Sequence, residues 1–99
     1  MNTTSVKNRR IRTALLELLK TEYPGALDCK ALRFALDSLG YPLMEGTLTA
    51  HLRYLEEKGF AELTRRKGFG FDIAFASLTA AGWDLLDGLT EAEGIDRRL

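Results

Sequence analysis

The chain has 99 residues, enough for one domain, and 45% of them are hydrophobic, which is enough to bury a core. Fourteen basic and fourteen acidic residues give a net charge of zero, unlike the positive excess of a strong non-specific nucleic-acid binder. The single cysteine excludes an internal disulfide, and no apolar run approaches the roughly 20 residues of a membrane helix, so we expect a cytoplasmic protein.

Charge is nevertheless uneven along the chain. Residues 1–20 carry five basic side chains against one glutamate, a net charge of +4, and residues 47–70 carry five against three, a net charge of +2. Residues 21–46 carry −2, and residues 71–99 carry −4. The start of the chain and its centre are therefore basic, and its last third is acidic.

The first third is predicted to contain a leader, two helices and a short strand. Residues 1–5 form a loose leader. Residues 6–23 form the first helix, because apolar side chains recur there at helical spacing: Ile11, Leu15, Leu18 and Leu19. After a Pro-Gly turn, Asp28 is a favourable N-cap for a second helix that ends before Gly40. Residues 26–27, ahead of this cap, are predicted to form an edge strand.

A third helix is predicted from residue 45 to residue 58. Leu48, Leu52 and Leu55 are spaced by four and three residues, so they share one face of this helix. Gly59 suits the left-handed position that commonly follows a helix end. The outer face of the helix is therefore left for solvent or a partner.

A β-hairpin and a fourth helix are predicted next. The hairpin strands are residues 60–64 and 71–75, around a basic, glycine-rich loop of residues 65–70. Small side chains alternate with aromatic ones on the second strand, so we expect the small side chains to lie beneath a packed neighbour. Thr79 is the predicted N-cap of the fourth helix. Residues 90–99 form a charged tail that we expect to be mobile or to lie on the surface.

Two motifs in this pattern resemble those of the winged helix-turn-helix superfamily. Residues 48–60, Leu-Thr-Ala-His-Leu-Arg-Tyr-Leu-Glu-Glu-Lys-Gly-Phe, resemble its recognition helix and the exit from that helix. Residues 78–82, Leu-Thr-Ala-Ala-Gly, are similar to the start of the helix after the wing. The basic hairpin lies between them, and the resemblance spans residues 28–88. Residues 84–88 also resemble small winged-helix proteins of Mu-like prophages.

The resemblance implies an α+β domain over residues 6–89, with a three-helix core, an antiparallel wing of two to three strands and a C-terminal helix. It implies a transcriptional regulator, often a homodimer, that binds double-stranded DNA with helix 45–58 in the major groove and wing 65–70 on the backbone. The candidates that face the groove are Thr47, Thr49, Ala50, Arg53 and Tyr54. The wing candidates are Arg65, Arg66 and Lys67.

The basic start of the first helix has two interpretations. Arg9 and Arg10 are candidates for contact with the DNA backbone, and the alternative is a solvated helix face. The same alternative applies to the charged wing. Phe69, between two glycines, can stack or wedge in a groove, fold back onto the core or join a dimer contact.

Arg53 can contact guanine, yet Glu57 points the same way and would be repelled by phosphate.

The remaining candidates favour structural roles. His51 flanks the apolar stripe and is interpreted as a packed, hydrogen-bonded histidine. One histidine and one cysteine, Cys29, cannot supply the four ligands of a zinc site. Asp84 and Asp87 have no partner for acid–base chemistry, so we expect no enzyme, metal or cofactor.

Two functions stay open from the sequence. The first is sequence-specific duplex DNA binding by a homodimeric regulator. The alternative is a winged-helix interaction or assembly module, in a phage or a larger complex, that binds a protein partner and not DNA. Zero net charge, the acidic last third, and Glu56 and Glu57 beside the reading face favour this alternative. A metal- or ligand-sensing repressor lacks a visible site.

Overall fold

A computed structural model of the chain describes residues 3–68 and 70–95. These residues form α1 (Thr3–Lys20), β1 (Ala26–Asp28), α2 (Cys29–Ser38), α3 (Glu45–Glu57), β2 (Ala61–Gly68), β3 (Phe71–Leu78) and α4 (Ala80–Leu86). This order confirms the α+β prediction. In this part of the chain, no helix is long and apolar enough to cross a membrane.

The strands form one antiparallel sheet in the order β1-β3-β2. Strand β1 pairs with β3 at the edge away from β2, with Leu27 opposite Ala76, which confirms the predicted edge strand. Ala76 is fully buried, Ala74 on the same face of β3 is half-buried and Asp72 is exposed, so this face is covered only at its Ala76 end. The sheet thus closes one side of the core.

The hairpin strands are longer than the sequence suggested. Strands β2 and β3 pair along their whole length, ending with Gly68 opposite Phe71. The predicted loop 65–70 is therefore wrong at its start, since Arg65, Arg66 and Lys67 lie in β2. Ladder hydrogen bonds to β3 hold these charged residues in the strand although their β-propensity is low.

The core is built around α1. Ile11, Leu15 and Leu19 are buried as predicted, but Leu16 is buried too, so α1 is enclosed on more than one side. The three leucines of α3 are also buried and contribute to the same core. This arrangement presses the inner face of α3 against the rest of the domain and leaves its outer face exposed.

Helix ends follow the predicted caps. The Asp28 carboxylate accepts a hydrogen bond from the Lys30 amide at 2.7 Å, and the Thr79 hydroxyl accepts one from the Gly82 amide at 3.0 Å. Gly59 takes φ +82° after α3, a left-handed conformation that glycine adopts without a Cβ penalty. These local signals fix where α2, α3 and α4 begin or end.

Two termini differ from expectation. Helix α1 begins at Thr3, so part of the predicted leader 1–5 is helical. Residues 92–95, expected to belong to a mobile or surface tail, pack onto the domain, and Ile95 is only 8% exposed. The predictions for Phe69 and for residues 1–2 and 96–99 lie outside the described residues.

Candidate nucleic-acid interface

The outer face of α3 carries the predicted reading residues. With the leucines turned inward, Thr47, Ala50 and Arg53 are exposed, as is Glu57 near the helix end. Thr49 is half-buried, and its hydroxyl donates to the Glu45 carbonyl at 3.0 Å within the helix. The exposed face therefore offers one cation, small side chains and a late carboxylate.

A groove of about 840 Å³ separates α3 from the hairpin. It brings together three of the predicted residues, Thr49 and Arg53 from α3 and Arg65 from β2. Its lining does not include Arg66 or Lys67, which are exposed nearer the wing tip. The structure thus unites helix and wing residues in one open surface feature.

Helix α2 adds two cations to this groove that the sequence interpretation missed. Lys30 and Arg33 are exposed and line the groove. Arg33 Nε also donates to the Leu43 carbonyl at 3.0 Å, so it joins α2 to the turn before α3. Their spacing of three residues, just after the Asp28 cap, is the signal that places both on one exposed helix face.

Three of the five carboxylates that line the groove have a hydrogen-bond or ion-pair partner among the described residues: Asp28, Glu56 and Asp72. Glu56 Oε2 accepts a hydrogen bond from the Leu63 amide at 3.0 Å, which ties the end of α3 to strand β2. Asp72 Oδ2 lies 3.4 Å from Arg65 Nη1. Glu56 is therefore a tether between helix and wing, and its charge is partly met by a backbone donor.

The three basic wing residues differ in surroundings. Arg65 pairs with Asp72 across the hairpin, although both side chains stay well exposed. The Arg66 guanidinium lies 4.8 Å from the centre of the Phe75 ring, on the opposite sheet face. Arg66 and Lys67 are the wing cations without a carboxylate partner among the described ion pairs.

No protein-family model and no curated protein matches the chain. Solved structures do match. A PadR family transcriptional regulator from Eggerthella lenta DSM 2243 is 23% identical with a TM-score of 0.62, covering 80% of this chain and 70% of that chain. A PadR-like transcription factor from Bacteroides fragilis is 19% identical with a TM-score of 0.67, covering 80% and 75%. Bacillus subtilis PadR in complex with operator DNA is 22% identical with a TM-score of 0.64, covering 92% and 52%.

This chain has a winged helix-turn-helix fold. By its place in this fold α3 is named the recognition helix, and the hairpin of β2 and β3 is named the wing. The superfamily resemblance from the sequence is confirmed at the level of fold. The prophage resemblance and the homodimer stay predictions.

The prediction that Tyr54 faces the major groove of DNA requires a correction. The Arg12 guanidinium lies 3.8 Å from the centre of its ring, and its hydroxyl donates to the Glu93 carbonyl at 3.0 Å. The side chain is half-buried between α1 and the C-terminal residues. Its position on the helix flank turns it inward, away from the residues that line the groove.

The first-helix candidates lie apart from the groove. Arg9 is half-buried and Arg10 is exposed, and neither contributes to the groove lining. Arg12, also in α1, was not a candidate, yet it contacts His51 and Tyr54 of α3. The basic start of α1 therefore lies outside the groove between α3 and the hairpin.

His51 is the packed histidine that the sequence predicted. It is 6% exposed, and its Nδ1 accepts a hydrogen bond from Arg12 Nε at 3.2 Å. Burial lowers the pKa of His51, and the positive charge of Arg12 lowers the same pKa further. The folded protein therefore keeps this imidazole neutral, the state in which Nδ1 can accept.

This lowered pKa predicts a pH-dependent stability. The unfolded chain binds the His51 proton at a higher pH than the folded protein does, so the free energy of unfolding falls as the pH drops below about 6.5. One titrating group limits the slope to about 1.4 kcal/mol per pH unit. Denaturant titrations between pH 8 and pH 5 measure it, with His51→Gln as the control. Equal pH dependence in both proteins would contradict the assignment.

Cys29 has no features of a reactive or metal-binding thiol. Burial, and then the charge of Asp28, raise the pKa of the Cys29 thiol, against a weaker opposing effect of Arg65. Within residues 3–68 and 70–95, no group of three or more His, Cys, Asp or Glu side chains is placed to hold a metal ion.

Proposed function

We propose that this protein is a transcriptional regulator that binds duplex DNA in a sequence-specific manner. The exposed outer face of α3, next to a cationic wing, carries this proposal. The fold supports it, because structures that match are described as transcriptional regulators and one of them is in complex with operator DNA. A DNA-bound regulator also fits the cytoplasmic location expected from the sequence.

The exposed residues suggest a division of labour. Arg53 contacts a guanine edge in the major groove, and Thr47, Thr49 and Ala50 meet neighbouring bases through methyl and hydroxyl groups. Cations of the wing and of α2 contact phosphate and set the position of the helix on the duplex. These cations are Arg65, Arg66, Lys67, Lys30 and Arg33. Arg9 and Arg10 contact the backbone beyond this surface.

A homodimer fits this assignment. One winged helix presents a single short reading helix, and two copies would place two such helices in successive major grooves of a two-fold symmetric site. Size-exclusion chromatography with light scattering, with and without a selected duplex, measures the number of copies. A single copy on the selected site would contradict the homodimer and leave DNA binding in place.

The direct test is binding to a random duplex pool at several salt concentrations. Because phosphate contacts release counterions, log affinity should fall linearly with the logarithm of salt concentration. Selection from the pool then gives the preferred site. No binding at about 50 mM salt, where phosphate contacts are strong, would refute the proposed function.

Two arginine variants separate base reading from backbone contact. Arg53→Ala should reduce discrimination between the selected site and its single-base variants, by about 1–3 kcal/mol at one position. Arg66→Ala should weaken all sites by a similar factor and reduce the salt slope. Fluorescence anisotropy on a set of single-base duplexes measures both. Equal loss of discrimination in the two variants would contradict the assigned roles.

The groove also supports the alternative of a protein-binding module. Four cations and five carboxylates line it. Phe34 in α2 and Met44, just before α3, are 75% and 78% exposed. Mixed charge with exposed apolar side chains is typical of protein interfaces more than of DNA interfaces. A partner captured equally well after reversal of the wing charges, together with absent DNA binding, would favour this function.

A further inference from the structure

Residues 92–95, here called the C-terminal strap, return to the recognition helix. Ile95 is buried in the hydrophobic core, and Ala92 packs partly against it. Between them, the Glu93 carbonyl accepts a hydrogen bond from the Tyr54 hydroxyl at 3.0 Å. The strap is therefore held by an apolar anchor at its end and by a polar tie to α3.

Arg12 joins the strap to two helices. Its guanidinium lies over the Tyr54 ring, its Nε donates to His51, and its Nη1 donates to the Gly94 carbonyl at 3.2 Å. A cation over an aromatic face and a charge-assisted hydrogen bond each add stabilisation. Helix α1, helix α3 and the strap thus meet at one side chain.

Gly94 is fitted to this junction. Its φ is +78°, and an added Cβ would overlap the Tyr54 hydroxyl and approach Arg12 Nη1 to 2.8 Å. Gly88 has nearly the same φ, +79°, but an added Cβ would meet no atom within 4 Å. An alanine at either position would therefore meet the same backbone strain, but only at position 94 would it also contact the junction.

The geometry points to a strap that positions the recognition helix. The leucines bury α3 through non-directional contacts, whereas the Tyr54 hydroxyl bond is directional and fixes one flank of the helix. Tyr54 follows Arg53 directly in α3. By holding Tyr54, the strap sets the rotation of α3 about its own axis, and so the direction in which the Arg53 side chain faces DNA. The effect on DNA affinity rests on the proposed function, and the effect on α3 itself does not.

The test compares Gly94→Ala with Gly88→Ala in the full chain. Amide hydrogen exchange is measured without DNA, and affinity is measured on the duplex selected by the wild-type protein. Gly94→Ala should raise exchange in the strap and in the α3 turn that contains Tyr54, and should weaken DNA binding about fivefold or more. Gly88→Ala should leave both regions close to wild type.

The outcomes separate the two proposals. Faster α3 exchange with weaker DNA binding in Gly94→Ala supports the strap as a positioning element. An open strap with unchanged α3 exchange and unchanged affinity would overturn it while DNA binding stands. If the wild-type protein binds no DNA, the proposed function fails. Amide exchange in α3 alone then decides whether the strap positions this helix.

Ile95→Ala provides a second variant that adds no strained residue. It removes part of the apolar anchor and leaves the Arg12 and Tyr54 side chains intact. Strap opening in this variant should raise exchange in the same α3 turn as Gly94→Ala does. Opening confined to residues 92–95 in both variants would overturn the positioning role.

Discussion

Reversing the two cations nearest the wing tip, in Arg66→Glu/Lys67→Glu, is expected to weaken duplex DNA binding about 100-fold at moderate salt. Each reversal replaces an attraction to phosphate with a repulsion, and we assign about 1.4 kcal/mol to each side chain. Arg65 is left unchanged because it pairs with Asp72 across the hairpin. Anisotropy titrations on the selected duplex measure the effect.

The matched control keeps the charge and exchanges the side chains. Arg66→Lys/Lys67→Arg preserves two cations in the same strand, so it should bind within about threefold of wild type if phosphate contact is the wing's role. Circular dichroism confirms that both variants fold. A large loss in the control, or none in the reversal, would contradict the assigned role of the wing.

Helix α3 could be predicted because its signals are local. Leu48, Leu52 and Leu55 share one helix face in any structure that keeps the helix, and Gly59 marks its end. All three leucines are buried and Gly59 is left-handed, as expected. The side of α3 that remains for a partner follows from the same periodicity.

Contacts between distant residues could not be predicted in the same way. The Glu56 bond to the Leu63 amide depends on how the wing folds back on α3, and it gives one of the two late carboxylates of α3 a structural role. Tyr54 has a flank position on the helical wheel, but only the return of residues 92–95 shows what it contacts. Arg12 likewise gains its role from partners 39 and 82 residues away.

The motif at residues 78–82 acquires a physical explanation from the structure. The Thr79 amide donates to the Phe60 carbonyl at 3.1 Å, and its hydroxyl donates to the Gly59 carbonyl at 2.6 Å. These bonds draw the start of α4 onto the exit from the recognition helix. Gly82 lies on the same side, where an added Cβ would collide with the Phe60 carbonyl.

Gly82→Ala is therefore expected to lower the free energy of unfolding by about 2–3 kcal/mol. The Leu78 side chain, 2.6 Å from the added Cβ, can turn aside. The Phe60 carbonyl cannot do so without losing its bond to Thr79, so α4 must shift away from the end of α3. Urea denaturation, with the midpoint and slope fitted together, measures the change.

Gly46→Ala is the control for Gly82→Ala. Gly46 is also helical, but it is exposed and an added Cβ there meets nothing within 4 Å. Alanine has the higher helix propensity, so this variant should be more stable by about 0.5 kcal/mol. If the free energy of unfolding falls in Gly82→Ala and rises in Gly46→Ala, the loss of stability at Gly82 comes from close packing between α4 and the end of α3. A gain in both would contradict that packing.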